Sequence, residues 1–473
     1  MKNKMRGLVV LAFSFLWICC SKDDPEVVPD LDAPAVSASQ NASIAEGDVV
    51  SVDLGSITIY YTAPLSLADA GKIILSKSGG GGNVSISATV ANKNLKVMFG
   101  KLDASAAYTL SVEKGAVAHK QDVTRIADSF SISFSTAFSI PSSVTFNLDQ
   151  ALVNPNASPQ AVKVYTYLRE SFGKRILSAT MAQYTVQVNE AEWVYSQTGK
   201  YPAMTCFDFM NVTRDYDNSW DPDYDIFVTN AKKWWNDGGI VCAMWHWRDP
   251  LKATDAFYTS ETTFDVSKVS NTSSDEYKAV IADIDVVAGY LKQLAEAGIP
   301  VIWRPLHEAQ GGWFWWGAKN AADCKSLWLL MYNRMTNHHG LNNLIWVWTI
   351  DMISNEYAEA FDWYPGAGYV DLVGTDIYAS DHSSQLQRFN FTATISGSRK
   401  IVALTECGAT PDPAEMAVHD TWAYFMPWYG DYTRKETFQN TSGQTTAGNG
   451  AAYWQKLFGN SLIITRDELP DLK

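Results

Sequence analysis

Between residue 141 and the C-terminus, short apolar runs alternate with helix-like segments, and this alternation constrains the fold more than any other feature of the chain. The strand-like runs are "RILSAT" (175–180), "PAMTCFDF" (202–209), "GIVCAMWHW" (239–247), "PVIWRPLHE" (300–308), "LIWVWT" (344–349), "VDLVGTDIY" (370–378), "IVALTECG" (401–408) and "YFMPWYG" (424–430). They are rich in β-branched and aromatic side chains and show little polar alternation, as strands covered on both faces do. The segments between them change period. In "SDEYKAVIADIDVVAGYLKQLAEAG", Val280, Ile284, Val287, Leu291 and Leu294 recur at three-to-four spacing, with Gly298 placed to stop the helix. "DCKSLWLLMYNRMTNHHG" has the same form. Eight strand–helix units in one run predict an α/β fold, a (β/α)8 TIM barrel, over 141–473. A doubly wound open sheet is the alternative. It is disfavoured because no glycine-rich phosphate loop follows the first strand.

The preceding residues read differently. "MKNKMRG" is basic, and the apolar run "LVVLAFSFLWI" after it is too short to span a bilayer. It ends at "CCSKDD", which points to a lipoprotein signal over 1–20 with Cys20 as the lipidated residue, since Cys20 follows small Cys19 whereas Cys19 follows bulky Ile18. "CSKDD" resembles the acidic export tag of Bacteroidetes-type surface lipoproteins. The expected location is therefore the outer membrane, lipid-anchored and facing the cell exterior, with periplasmic retention or plain secretion as alternatives. Residues 21–35, "SKDDPEVVPDLDAPA", form an acidic, proline-rich linker. Over 36–140, runs such as "SITIYYTA", "KIILSK", "NVSISATV", "LKVMFG", "AYTLSVEKG" and "SFSISFST", broken by turns, predict a small all-β sandwich. Its "YTLSVEKGAV" and "SFSISFST" segments resemble those of bacterial immunoglobulin-like (Ig-like) modules. Cys206, Cys242, Cys324 and Cys407 lack metal spacing and read as buried free thiols.

A net charge of −14 and a pI near 5.0 argue against a nucleic-acid partner. The 18 Trp, 22 Tyr and 20 Phe are unusually plentiful; sugar rings stack their C–H faces on such side chains, and a large core with many aromatics is the alternative reading. The densest cluster is "HEAQGGWFWWG", where Glu308 is followed by Trp313, Phe314, Trp315 and Trp316. In a parallel barrel the reactive groups gather at the C-terminal ends of the strands. There the sequence puts Trp245-His246-Trp247 on the third strand, His307-Glu308 on the fourth, Asp376 and Tyr378 on the sixth, Glu406 on the seventh and Trp428 near the end of the eighth. Two carboxyls facing each other across a barrel mouth can cleave a glycosidic bond, one as acid and the other as nucleophile or base. The tryptophans beside Glu308 favour the protonated, acid role for it and leave the nucleophile role to Glu406. Either glutamate alone would read as a salt-bridged strand end. His246, Asp376 and Trp428 have equally ordinary readings as core, cap and packing residues. The histidines and acids lack ligand spacing such as H-E-x-x-H, so neither metal nor cofactor is expected.

The stretch "WRPLHEAQGGWFWWG" resembles the "RPxHExxGxWFWWG" pattern of glycoside hydrolase family 26, and "DIY" and "LTECG" fall where that family has its later motifs. The resemblance covers most of residues 150–460. It implies a retaining enzyme acting by double displacement on β-1,4-mannan, glucomannan or galactomannan, with Glu308 as acid/base and Glu406 as nucleophile. By position, His307 would orient the acid or touch the sugar, Trp313 would line the aglycone side, and Tyr378 would hold the nucleophile. Asp376, His246 and Trp428 would contact the glycone. "EAQGG" departs from the commoner "EMNGG", which affects the surroundings of Glu308. The same chemistry on mixed-linkage β-glucan or β-1,3-xylan, and a catalytically silent surface glycan-binding lipoprotein, are the other readings. A monomer is expected, joined to the membrane only through its lipid.

Overall fold

From the first strand of the C-terminal region to the last, each strand pairs in parallel with its successor, and the last pairs back with the first. In this computed structural model, which describes residues 31–78, 82–103, 106–136, 142–214, 223–351 and 357–473, the strands are β1 (Ile176–Met181), β2 (Met204–Asp208), β3 (Ile240–Met244), β4 (Val301–Arg304), β5 (Leu344–Asp351), β6 (Leu372–Ile377), β7 (Ile401–Cys407) and β8 (Tyr424–Pro427). The pairing Leu177↔Tyr424 joins β8 to β1 and closes an eight-stranded barrel. Every residue of the eight strands is buried, as expected where side chains fill the barrel on one face and meet helices on the other.

A helix follows each strand: Asn189–Thr198, Tyr224–Asn236, Asp275–Glu296, Ala321–Asn333, Tyr357–Trp363, Leu386–Ile395, Pro413–Val418 and Ala451–Phe458. The longest starts at Ser274, whose hydroxyl accepts from the Tyr277 N–H, and it buries Val280, Ile284, Val287, Leu291 and Leu294. Its chain reverses at Gly298, where φ is +70°. An additional helix, Pro159–Ser171, precedes β1 and is capped by Ser158.

The strands stop earlier than the apolar runs suggest. β4 ends at Arg304 rather than Glu308, because Pro305 has no N–H to give the ladder and Leu306 turns into the left-handed region at φ +50°. β3 ends at Met244, so His246 lies beyond the strand. Glu406 is still within β7.

The described residues between 31 and 136 belong to a separate compact unit. It is all-β, with a five-stranded, a three-stranded and a two-stranded sheet around one apolar core that includes Ile57, Leu75, Leu95, Val97, Leu110 and Ile132. Its strands Ser56–Tyr60 and Asn94–Phe99 alternate buried and more exposed positions, which is the period-two pattern of a sheet with one face on a core. Cys206, Cys242, Cys324 and Cys407 are buried and free. Cys20, the signal and most of the linker lie outside the described residues, as does the boundary at 140/141.

Within the barrel, Gly374 of β6 leaves the space in which two threonines from neighbouring strands meet. A Cβ there would lie 2.3 Å from Thr405 Cγ2 and 2.9 Å from Thr349 Oγ1. Gly374→Ala is therefore expected to destabilise the barrel by about 1–3 kcal/mol through overpacking. Chemical denaturation of the variant checks this; an unchanged unfolding midpoint would show that the layer has slack.

Candidate active site

The turn after β4 puts Glu308 over the barrel mouth. Glu308 itself adopts φ +53°, and its N–H donates to the Thr349 carbonyl at 3.1 Å, which ties the turn to the end of β5. Two non-glycine residues, Leu306 and Glu308, thus hold left-handed backbone within three positions, a strained arrangement that persists only where its surroundings enforce it.

The enforcement comes from the aromatic run. Trp315 and Trp316 are fully buried. Trp316 Nε1 donates to the His307 carbonyl at 2.8 Å, and Trp315 Nε1 donates to the Trp247 carbonyl at 2.5 Å. Phe314 stacks on Trp316 with ring centroids 4.5 Å apart, and Tyr258 from the loop after β3 stacks parallel on Phe314. Gly317 lets the loop fold back: a Cβ there would lie 1.9 Å from the Ala309 carbonyl oxygen. Trp313 is the exception in the run. It is only partly buried, and its Nε1 donates to Glu308 Oε2 at 3.0 Å.

Beneath Glu308 lies a charged floor. Arg304 is wholly buried. Its Nη1 donates to Glu406 Oε1 at 2.8 Å, its Nη2 pairs with Asp376 Oδ2, and its Nε donates to Thr349 Oγ1 at 3.0 Å. The second oxygen of Glu406 accepts from the Tyr378 hydroxyl at 2.6 Å, and Asp376 Oδ1 accepts from Thr405 at 2.6 Å. Carboxylate oxygens of Glu308, Asp376 and Glu406 all lie within 4.8 Å of one another. Arg304 supplies the positive charge between two of them.

Such crowding sets protonation. Burial first, then the negative charges of Asp376 and Glu406, push the Glu308 carboxyl well above the ordinary glutamate range. Burial also pushes Asp376 up, to about 8, against the pull of Arg304. Asp376 is already engaged by Arg304 and Thr405, so the proton these neighbours share rests on Glu308. Glu406, with both oxygens accepting, has the environment of a carboxylate. Burial and the Glu406 charge hold the Tyr378 phenol well above its usual range, so it remains a donor. Burial and Arg304 hold His307 neutral.

His246, His307, Glu308, Trp313, Tyr378, Glu406 and Trp428 line one cleft of about 350 Å³, together with Tyr258 and Phe314. Of the residues anticipated from sequence, Asp376 alone is not on the cleft wall. Its carboxylate is buried behind the two glutamates, where Arg304 and Thr405 hold it, so direct contact with a sugar is not its position here. Arg304, Asp208, Tyr258 and Phe314 were not anticipated as site residues. An arginine inside the apolar run "PVIWRPLHE" was a usable signal, as was an aspartate ending "TCFD". Tyr258, in an irregular loop, had none.

Residues 153–468 match the sequence profile of Glycosyl hydrolase family 26. The chain belongs to this family. Among curated relatives it is 35% identical over 335 residues to mannan endo-1,4-β-mannosidase A of Piromyces sp., covering 69% of this chain and 52% of that one. It is 35% identical to the mannan endo-1,4-β-mannosidase of Thermothelomyces thermophilus, covering 68% of this chain and 64% of the relative. The chain thus spans between half and two-thirds of the length of these curated relatives. Among solved structures, a β-mannanase from a symbiotic protist of the termite Reticulitermes speratus, complexed with gluco-manno-oligosaccharide, is 38% identical with a TM-score of 0.63, covering 69% of this chain and 99% of that one. The family 26 domain of a Prevotella bryantii endo-β-mannanase/endo-β-glucanase is 31% identical with a TM-score of 0.60, covering 68% and 100%.

The buried tryptophans of this family 26 barrel make a structural prediction. Trp316→Ala is expected to cost about 3–5 kcal/mol, as truncation of a fully buried aromatic does. It also removes the donor from the His307 carbonyl. A thermal unfolding scan in which the variant matches the parent chain would refute a packing role for Trp316.

Proposed function

We propose that the chain hydrolyses β-1,4-mannosidic bonds with retention of configuration, as a mannan endo-1,4-β-mannosidase acting on mannan, glucomannan or galactomannan. The observation that carries this reading is geometric: Glu308 and Glu406 face one cleft with carboxylate oxygens within 4.8 Å, Glu308 beside the Trp313 ring and Glu406 accepting from Arg304 and Tyr378. Oxygens that close suit direct attack by one carboxyl while the other serves the leaving group. In the first step Glu406 attacks the anomeric carbon while Glu308 gives its proton to the departing oxygen. Glu308, now ionised, then takes a proton from water as that water displaces Glu406 from the glycosyl ester. The names of the curated relatives support mannan as the polymer. Trp313 and Trp428 offer aromatic surface along the cleft, and Tyr378 steadies the nucleophile.

The two carboxyls are separable by substitution. Glu406→Ala is expected to abolish turnover on every substrate. Glu308→Ala should retain the first step on an aryl mannoside with a good leaving group, which needs no proton. Equal losses on the activated substrate would contradict the division of roles. Reducing-sugar release from galactomannan, glucomannan, barley glucan and β-1,3-xylan, measured side by side, tests the choice of polymer; preference for either of the last two would overturn it.

The pH profile has a definite sign. The acid must be protonated, so kcat should fall as pH rises through the elevated Glu308 value, well above an ordinary glutamate. The Trp313 N–H donates to Glu308 and favours its charged form. Trp313→Phe keeps an aromatic ring but removes that donor, and should move the alkaline limb to higher pH. A limb that stays put or moves to lower pH counts against Glu308 as the titrating acid.

We also propose that the chain is a monomer held on the outer membrane through a lipid on Cys20, with the all-β unit, as an Ig-like spacer, between lipid and barrel. The basic-apolar-"CC" leader and the acidic "SKDD" support this. Detergent phase partitioning of cells expressing Cys20→Ala should move the protein to the aqueous phase; unaltered partitioning would exclude that anchor.

A further inference from the structure

One wall of the cleft holds a hydrogen-bonded column that the proposed bond cleavage does not use. Asp208, the last residue of β2, is buried, and both its oxygens accept from a single residue: Oδ1 from the His246 backbone N–H at 3.0 Å, and Oδ2 from His246 Nδ1 at 2.6 Å. The far side of the same ring, Nε2, faces His307 Nε2 at 3.2 Å. Beyond it, His307 Nδ1 is buried and has no hydrogen-bond partner among the described residues. Asp208, His246 and His307 thus form a chain that ends one residue before Glu308.

We infer that Asp208 is a positioning residue that fixes which nitrogen carries the proton on both histidines, and through them the donor and acceptor pattern of this wall. The inference deepens the functional reading above and rests on it for the identity of the cleft. A carboxylate can only accept, so the proton of His246 must sit on Nδ1. One proton then lies between the two facing Nε2 atoms. If His246 supplied it, His307 would carry its own proton on Nδ1, a buried N–H with nothing to receive it. If His307 supplies it, the bare Nδ1 is an unpartnered acceptor, the less costly orphan. The column therefore runs in one direction: His307 Nε2–H donates to His246 Nε2, and His246 Nδ1–H donates to Asp208. The His307 carbonyl is held by Trp316, so this residue is fixed at both its ring and its backbone, immediately before the strained Glu308.

Asp208→Asn breaks this order while preserving shape. If the amide presents its oxygen to the His246 backbone N–H, its NH₂ faces Nδ1 and forces His246 into the Nε2–H form. That proton meets His307 Nε2–H and drives the His307 proton to the unpartnered Nδ1. If the amide is turned over, its NH₂ opposes the backbone N–H instead. Neither orientation satisfies every group.

The test uses the full chain labelled with ¹⁵N-histidine, with resonances assigned by their loss in His246→Gln. In the parent chain, His246 is expected to carry its proton on Nδ1 and His307 on Nε2. In Asp208→Asn both should switch, and kcat on manno-oligosaccharides should fall roughly tenfold to a hundredfold, the range seen when carboxylates that orient metal-binding histidines are removed. In a His246→Gln background, Asp208→Asn should add little further loss, because its partner is gone. A parent His246 in the Nε2–H form overturns the inference, as does an Asp208→Asn loss that persists in full in the His246→Gln background. If Asp208→Asn does not fold, the parent spectrum alone decides. If the parent chain hydrolyses no mannan, the functional reading fails, while the spectrum still reports the direction of the column.

Discussion

Arg304 is the group on which the site depends. A guanidinium with no exposure would be prohibitive in an apolar barrel, and it is tolerated because two carboxylates and a threonine hydroxyl engage its nitrogens. Its planar fork spans Asp376 and Glu406 at once, which a lysine ammonium could not do with comparable geometry. The converse dependence matters as much. Three carboxyls share the floor with one cation, and full ionisation would leave two buried negative charges uncompensated. The least costly adjustment is to keep one proton, and it falls on Glu308, the carboxyl that Arg304 does not contact. The protonated state that the proposed cleavage asks of Glu308 is thus a consequence of charge balance in the floor, with burial against aromatics reinforcing it.

This balance requires Glu308 to stay where it is, and its backbone alone would not keep it there. Left-handed conformations at Leu306 and Glu308 each cost free energy. The loop beyond them offsets that cost with a small core of its own: Trp315 and Trp316 buried and hydrogen-bonded to backbone carbonyls, Phe314 between Trp316 and Tyr258, and Gly317 allowing the chain to close on Ala309. The density of aromatics in "HEAQGGWFWWG" therefore has two explanations. Trp313 belongs to the cleft, and its neighbours hold the turn that presents Glu308.

The barrel was legible in the sequence because parallel strands buried on both faces are continuous apolar runs, and the helices between them carry an unmistakable three-to-four period. All eight runs contain a strand. Their C-terminal ends were misjudged where the run continues past the ladder: "PVIWRPLHE" stays apolar through Pro305 and Leu306, yet proline and a left-handed turn end the pairing at Arg304. Glu308 and Glu406 could be paired because strands remote in sequence converge at one rim. The role of Asp376 could not be read this way. Whether an acid at a strand end faces a ligand or a buried cation depends on what the other strands place beside it, and Arg304 reaches Asp376 from β4, two strands away. Asp208 was missed for the same reason, since its partner His246 belongs to the loop after the neighbouring strand.

The resulting site has two hydrogen-bonded systems with different physics. The floor is ionic: Arg304, Asp376, Glu406 and Tyr378 are bound by charge, and a change there alters which carboxyl holds the proton. The wall from Asp208 through His246 to His307 contains one carboxylate and two rings, with its order set by proton direction rather than by net charge. The two systems meet at Glu308, which touches the floor through Asp376 and is joined to the wall through the peptide bond from His307. A defect in the floor should therefore register first in the ionisation of Glu308. A defect in the wall should register first in where Glu308 points, because the same residue takes its proton from one network and its orientation from the other.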